Sequence, residues 1–414
     1  MGRACGAGAR VRVDRRIRLQ TGRLGLLLLK MGLFVTSVAS VLIFFEIGLR
    51  IAGYNAIYEI YSKPSDLWRH DSLLGWHHEP GGRDVFVGPR PWPIEFETPI
   101  EINSLGLRGS EIPSHGNDCH RILFLGDSMV AAFEVEYDNT FPALIAARLT
   151  ARFGCPVRGI NAGVRGYGTD QNYLYYRERG RLLDPDVVVL FHSRNDLVNN
   201  TTIHRMRRQY GKGAFVLNDD GKLDLVGIPV PVYPVCSEYS LSTSSGIKRE
   251  DGAIGRILCS LQMGLFDRSA LFSFITLRIN WDPQFLRDLY YLAMPRSSSS
   301  SDGSDEREYR RRLTVALISR LATEVRSDGA TFIVTGAAEQ LEALGIDEDE
   351  FSGDVTPLPP MTEEERRDYT FERDSHFNRR GHARVVDHLL PSIDATIREI
   401  QSSSAAIPAD RSKS

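Results

Sequence analysis

The sequence predicts an α/β fold on a parallel sheet, preceded by one membrane-spanning helix. Three observations carry this. Short apolar runs without alternation, such as RILFL (121–125) and DVVVLF (186–191), recur between amphipathic helical stretches. That is the pattern of buried strands joined by crossover helices. The first run breaks at once into Gly126-Asp127-Ser128, which places a hydroxyl at the carboxyl edge of a strand. Ligands of open α/β sheets bind beyond that edge. Lastly, a basic N-terminal segment leads into an apolar stretch long enough to cross a bilayer.

The N-terminal elements come first. Residues 1–30 carry eight basic side chains against Asp14, a net of +7, which leaves −10 for the rest of a chain of formal charge −3. An acidic body of this kind does not suit nucleic acid, whose affinity rests on Lys and Arg neutralising phosphates. LGLLLLKMGLFVTSVASVLIFFEIG follows, uncharged from Met31 to Phe45. A hydrocarbon core of about 30 Å needs roughly 20 helical residues, and this stretch supplies them. A cleaved signal peptide is the rival reading, since Ser37-Val38-Ala39-Ser40 resembles a small-residue cleavage site. The apolar run continues past it through VLIFF, which favours an anchor. The expected organisation is a basic cytoplasmic tail (1–23), an anchor (24–52) and an exported body, oriented by the positive-inside rule. Four cysteines fall in that body, where disulfides are permitted. Cys119 and Cys155 each stand two residues before an expected strand, so Cys119–Cys155 and Cys236–Cys259 are candidate pairs; inert buried thiols are the alternative.

Residues 54–117 form an aromatic, Pro/Gly-punctuated prelude, in which the alternation of IEFETPIEIN predicts a hairpin or edge strands. His77-His78 carries a structural reading rather than a metal one, because adjacent strand residues point to opposite faces. From 118 to 400 the main domain is expected to run strand (121–125), helix (about 140–153), strand VRGIN, helix (169–181) and strand DVVVLFH. Residues 199–300 interrupt the cycle. A hairpin turning at Asp219–Gly221, a Pro-rich stretch, apolar helical segments around 255–294 and a flexible loop RSSSSSDGSDE are expected there. The insertion either caps the site or elaborates the surface. A helix closed by Gly329 and strand TFIVTG then resume the pattern. Residues 338–372 read as acidic loop and short helix, and a terminal helix follows that Pro391 should kink or split. The tail from 402 to 414 reads as disordered.

Four separated segments carry polar groups at expected strand ends: GDS (126–128), NAGVRGYGT (161–169), HSRND (192–196) and DSHFN (374–378). Their order resembles the SGNH hydrolases, the GDSL esterase/lipase family, over roughly residues 115–400 without the insertion. The string NAGVRGYGTDQ, with PDVVVL and ND after it, is similar to membrane-anchored bacterial members. The resemblance implies a three-layer α/β/α, flavodoxin-like sheet. It implies Ser128 as nucleophile, His376 as base and Asp374 as its orienting acid. It also gives an oxyanion hole from the N–H groups of Ser128 and Gly163 and the Asn195 amide. Asp374 and His376 stand two apart, where the family often shows three, so the backbone must turn for them to meet.

These residue types suit the chemistry. A serine hydroxyl needs a neighbouring base, and histidine titrates near neutrality. A carboxylate fixes the imidazole tautomer and steadies its cation. Preorganised donors stabilise the tetrahedral oxyanion. Each residue also has a plainer reading. Ser128 or Asn195 can cap a helix, with Asp196 doing something similar, while Asp127 braces the turn and Gly163, Gly166 and Gly168 serve as turn glycines. His382 competes with His376 but falls within the terminal helix pattern, where a histidine is structural. His192 and Arg194 lie near the expected pocket. No HExxH, P-loop or GxGxxG motif occurs, so neither metal nor cofactor is implied.

The expected function is a membrane-anchored serine esterase acting on carboxylic esters, the analogy extending to O-acetyl esters of envelope or exported carbohydrate. An O-acetyltransferase using the same residues on an acylated glycan is the first alternative. A non-catalytic carbohydrate-binding or assembly protein is the second, and intact Ser128, Asn195 and His376 argue against it.

Overall fold

A computed structural model describes residues 7–52, 67–88, 94–113, 118–242, 246–279, 302–346 and 351–405. The chain divides into two compact units, one of residues 58–259 and 296–414, the other of residues 1–57 and 260–295. The expected insertion is therefore split. Its first part belongs with the main domain and its second with the N-terminal helix.

The main domain is built on five parallel strands. Numbered along the chain they are His120–Leu125, Val157–Asn161, Val187–Phe191, Thr331–Ala337 and Asp354–Leu358, and across the sheet they stand in the order 2-1-3-4-5. That is the flavodoxin-like doubly wound order, whose switch point lies between strands one and three. Alternate residues of each strand feed opposite layers. Ile122, Phe124, Val187 and Val189 pack with Phe141 and Leu389, from helices Phe141–Phe153 and Arg379–Ala405. Leu123, Leu125, Val188 and Leu190 pack instead with Tyr176 and Leu317, from helices Thr169–Glu178 and Asp302–Ser327. Full burial of each such side chain contributes about 1.5–3 kcal/mol. Three layers result, as expected.

The prelude forms two antiparallel pairs, Trp68–Asp71 with Gly75–His78 and Arg83–Gly88 with Phe96–Glu101. Phe96–Glu101 alternates buried and exposed, the signature of a strand with one covered face. Ile100 and Ile102 pack on Ala131 and Phe133, just behind Ser128. His77 and His78 are both buried. His77 Nδ1 lies 3.3 Å from the Tyr167 hydroxyl and His78 Nδ1 3.3 Å from the Gly106 carbonyl, so the pair is structural. The hairpin at 219–221 forms between Ala214–Leu217 and Leu223–Val226. Cys119–Cys155 and Cys236–Cys259 are both disulfides.

Four expectations are corrected. The fifth strand falls where acidic loop was expected; Pro357 breaks its pattern, and an edge strand tolerates proline. The terminal helix runs unbroken through Pro391, which lies on the exposed side where a lost hydrogen bond costs least. It also includes 402–405, because extending an existing helix adds a bond for each residue fixed. Residues 302–306 of the expected Ser-rich loop are likewise helical. Residues 54–66 of the prelude, the apolar segment beyond 279, the run 296–301 and the tail 406–414 lie outside the described residues.

In the second unit, helix Ala7–Ile51 contains the stretch Gly25–Ile51, long and apolar enough to cross a membrane. It fits a signal anchor or a membrane span.

Candidate active site

The first strand ends at Leu125, and Asp127 caps the one-turn helix Ser128–Ala131 through its own carboxylate, which accepts from Met129 N at 2.9 Å. Asp127, not Ser128, is therefore the cap. The turn stands at the switch point of the sheet, with Ser128 partly exposed. Its other end is held by Arg108, a buried guanidinium that donates to the carbonyls of Ala131 (2.6 Å), Ala132 and Val135 (2.5 Å). Burial lowers the Arg108 pKa to about 10, against the pull of Glu134, so it stays charged at neutral pH.

The segment Asp374–Asn378 precedes the terminal helix and brings the imidazole to this turn. His376 Nε2 lies 2.7 Å from Ser128 Oγ, across 248 residues of sequence. On the other side of the ring, His376 Nδ1 meets Asp374 Oδ1 in a short hydrogen bond. The two-residue spacing works because the backbone turns. Asp374 Oδ1 also accepts from the His376 backbone N–H at 2.9 Å, closing a tight local ring. Burial raises the Asp374 pKa, but the hydrogen bond and charge of His376 outweigh it and leave the carboxyl below its ordinary value. His382 is not part of this arrangement. It is buried in the terminal helix, Phe141 N donates to its Nδ1 at 3.4 Å, and burial pushes its pKa down to about 3.

Asn195 follows the third strand and is exposed. It occupies the position before helix Asp196–Asn199 but does not cap it; its Nδ2 donates to Asp127 Oδ2 at 2.9 Å. An amide carries two N–H donors, so this bond leaves one over. Ser193 Oγ donates to Asp127 Oδ1 at 3.0 Å, so one carboxylate gathers the first and third strand ends. The Ser128 N–H begins a helical turn and has no acceptor inside it. The Gly163 N–H already donates to Asn161 Oδ1 at 3.1 Å, so any bond to an oxyanion would be shared. Glycine is required there for space. A Cβ would stand 2.4 Å from Ala131 N and 2.6 Å from Val130 Cβ, pushing the serine turn away.

Behind the site, His192 Nδ1 lies 3.2 Å from Asp196 Oδ2, both side chains being buried. Burial lifts the Asp196 pKa to about 6, with His192 opposing. Arg194 is exposed. Gly168 packs against Asn200, while Gly166 is an exposed turn glycine.

No motif or spacing in the chain pointed to Glu134. Its side chain is fully buried, its Oε1 lies 3.5 Å from His376 Nδ1, and Arg165 Nη1 donates to the same oxygen. Glu134, Asp374 and His376 direct ligand atoms to within 4.8 Å of one another, a set that could take a divalent ion. The Arg165 guanidinium puts a positive charge at that point, which opposes a cation.

Chemically, the arrangement offers a hydroxyl, a base within proton-transfer distance, a carboxylate on the far nitrogen and donors beside the hydroxyl. Residues 124–236 match the model of the GDSL-like lipase/acylhydrolase family. No curated protein matches the chain significantly. Among solved structures, an acetyl-xylooligosaccharide esterase mutant from Geobacillus is 12% identical, covering 72% of this chain and 99% of its own, with a TM-score of 0.35. A GDSL-like lipase from Bacteroides thetaiotaomicron is 10% identical, covering 67% of this chain and 88% of its own, with a TM-score of 0.31. The likeness to that family rests on the sequence match over residues 124–236 and not on these distant structures.

Proposed function

We propose that this chain, whose residues 124–236 match the GDSL-like lipase/acylhydrolase family, is an ester-bond hydrolase, a membrane-anchored serine esterase working through Ser128, His376 and Asp374. The observation that carries the proposal is the 2.7 Å approach of His376 Nε2 to Ser128 Oγ with Asp374 on the opposite nitrogen. Ser128 Oγ attacks the ester carbonyl carbon as its proton passes to His376 Nε2. Asp374 keeps the Nδ1 proton in place and steadies the imidazolium. The oxyanion meets the Ser128 N–H and the second Asn195 N–H, with a share of the Gly163 N–H. Collapse expels the alcohol, protonated by His376, and leaves an acyl-Ser128 ester. Water, deprotonated by the same imidazole, then releases the acid.

The anchor is the helix Gly25–Ile51, with its Arg-rich leading segment in the cytoplasm and the main domain outside. Two disulfides in the main domain fit an oxidising compartment. The ester proposed is an O-acetyl group on envelope or exported carbohydrate, by family analogy.

The test uses the full chain in detergent, with p-nitrophenyl acetate and an acetylated oligosaccharide as substrates. Hydrolysis of both that disappears in Ser128→Ala supports the reading. Transfer of acetyl to an added oligosaccharide in preference to water would replace it with an acetyltransferase. No turnover and no labelling by a serine-reactive fluorophosphonate would leave a non-catalytic binding protein.

A further inference from the structure

Helix Ala253–Arg268 is amphipathic, but it is turned the wrong way for water. Its sheltered side carries Gly255, Arg256, Cys259 and Met263. Cys259 is 2% exposed and disulfide-bonded to Cys236, and Arg256 is paired with Asp251 at 2.7 Å. The outward side carries Ile254, Ile257, Leu258, Leu261 and Leu265, which are 69%, 59%, 54%, 60% and 50% exposed. Spacings of three, four, seven and eleven place them on one helical face. Five large aliphatic side chains in a row amount to a contiguous patch, not the scattered exposure normal for a soluble surface.

The end of this helix identifies what covers the patch. Arg50, near the outer end of the apolar helix Gly25–Ile51, donates to the Arg268 carbonyl at 2.5 Å. Glu46, one turn earlier, accepts from Ser269 Oγ (2.8 Å), Ala270 N (3.0 Å) and Leu271 N (2.8 Å), capping the next helix, Ala270–Ile279. The chain leaving the patch is thus fastened where the apolar helix ends. That level is the boundary between hydrocarbon and water if Gly25–Ile51 spans a bilayer.

We propose that Ala253–Arg268 lies in the plane of the membrane, its Ile/Leu face sunk into the headgroup–acyl boundary, as a second membrane contact beside the span. The occupant is the lipid surface, in the manner of an interfacial amphipathic helix. The inference rests on the reading of Gly25–Ile51 as a membrane span.

The experiment reconstitutes the full chain in phosphatidylethanolamine/phosphatidylglycerol vesicles. A nitroxide is placed at Leu261→Cys, at Val38→Cys in the span, or at Lys222→Cys on the exposed hairpin, each in a Cys5→Ser background. Power saturation compares collision with oxygen, which enriches in lipid, and with a water-soluble nickel chelate. The expected result is a several-fold higher oxygen-to-nickel ratio at Leu261→Cys than at Lys222→Cys, approaching that at Val38→Cys. A lipid-like Val38→Cys with a water-like Leu261→Cys overturns this proposal alone. A water-like Val38→Cys overturns the anchor itself. A Leu261→Cys label immobilised and shielded from both reagents means that a protein surface covers the patch, and also overturns the proposal.

Discussion

Asn195 Nδ2 donates to Asp127 Oδ2 at 2.9 Å, which ties the end of the third sheet strand to the residue preceding Ser128. This bond uses one N–H of the amide and leaves the second over. Asn195→Ala should lower kcat by about 10²–10³ with KM little changed, the usual cost of one oxyanion donor. Asp127→Ala should lower kcat as well. It should also destabilise the fold by about 1–3 kcal/mol, because the buried Ser193 hydroxyl loses its acceptor. Steady-state kinetics on p-nitrophenyl acetate with thermal unfolding separates the two, and an unchanged kcat in Asn195→Ala would remove the amide from the mechanism.

Ser128, His376 and Asp374 should behave as a unit. Ser128→Ala and His376→Ala should each reduce activity to the same residual level, and the double variant should be no worse. Asp374→Asn should cost less than either, because the buried Glu134 carboxylate stands 3.5 Å from the same imidazole nitrogen. Equal losses in Asp374→Asn and His376→Ala would show that Glu134 gives no support.

Glu134→Gln tests that support in combination. The double variant Glu134→Gln/Asp374→Asn should lose more activity than Asp374→Asn alone and approach His376→Ala, because no carboxylate then stands beside His376 Nδ1. A double variant no worse than Asp374→Asn would make Glu134 a counter-ion of Arg165 only.

His382 governs stability rather than chemistry. It stays neutral in the fold down to about pH 3, whereas in the unfolded chain it takes a proton near pH 6.5. Between those values the unfolded state binds more protons, so stability falls as pH drops from 6.5 toward 3. At pH 5 the loss from this one residue is about 2 kcal/mol. His77, pushed down to about 4 by burial, acts in the same direction. Thermal midpoints at pH 7 and pH 5 should therefore fall less in His382→Phe than in the wild type; equal falls would contradict this.

The strands and the four polar segments were legible because buried parallel strands have an unmistakable composition and each segment sits at a strand end. Asp374 and His376 could be named, but their meeting depended on a backbone turn that no spacing dictates. Glu134, Arg108 and Arg165 were not legible as partners. They come from parts of the chain with no pattern of their own, and only the packing of the prelude behind Ala131 and Phe133 brings Arg108 to the serine turn. The edge strand Asp354–Leu358 was hidden by Pro357, and 402–405 by a polar composition that a preceding helix overrides.

The long excursion between the third and fourth strands departs just after Asn195 and rejoins before helix Asp302–Ser327. Among the described residues, none of the groups gathered at Ser128 comes from it. If Ser128, His376 and Asp374 work as proposed, they and the excursion can diverge independently: relatives could exchange the whole segment, with its disulfide and outward-facing leucines, and keep the same acid–base apparatus. Variation among such relatives should then concentrate in where each one works, while the reaction itself stays constant.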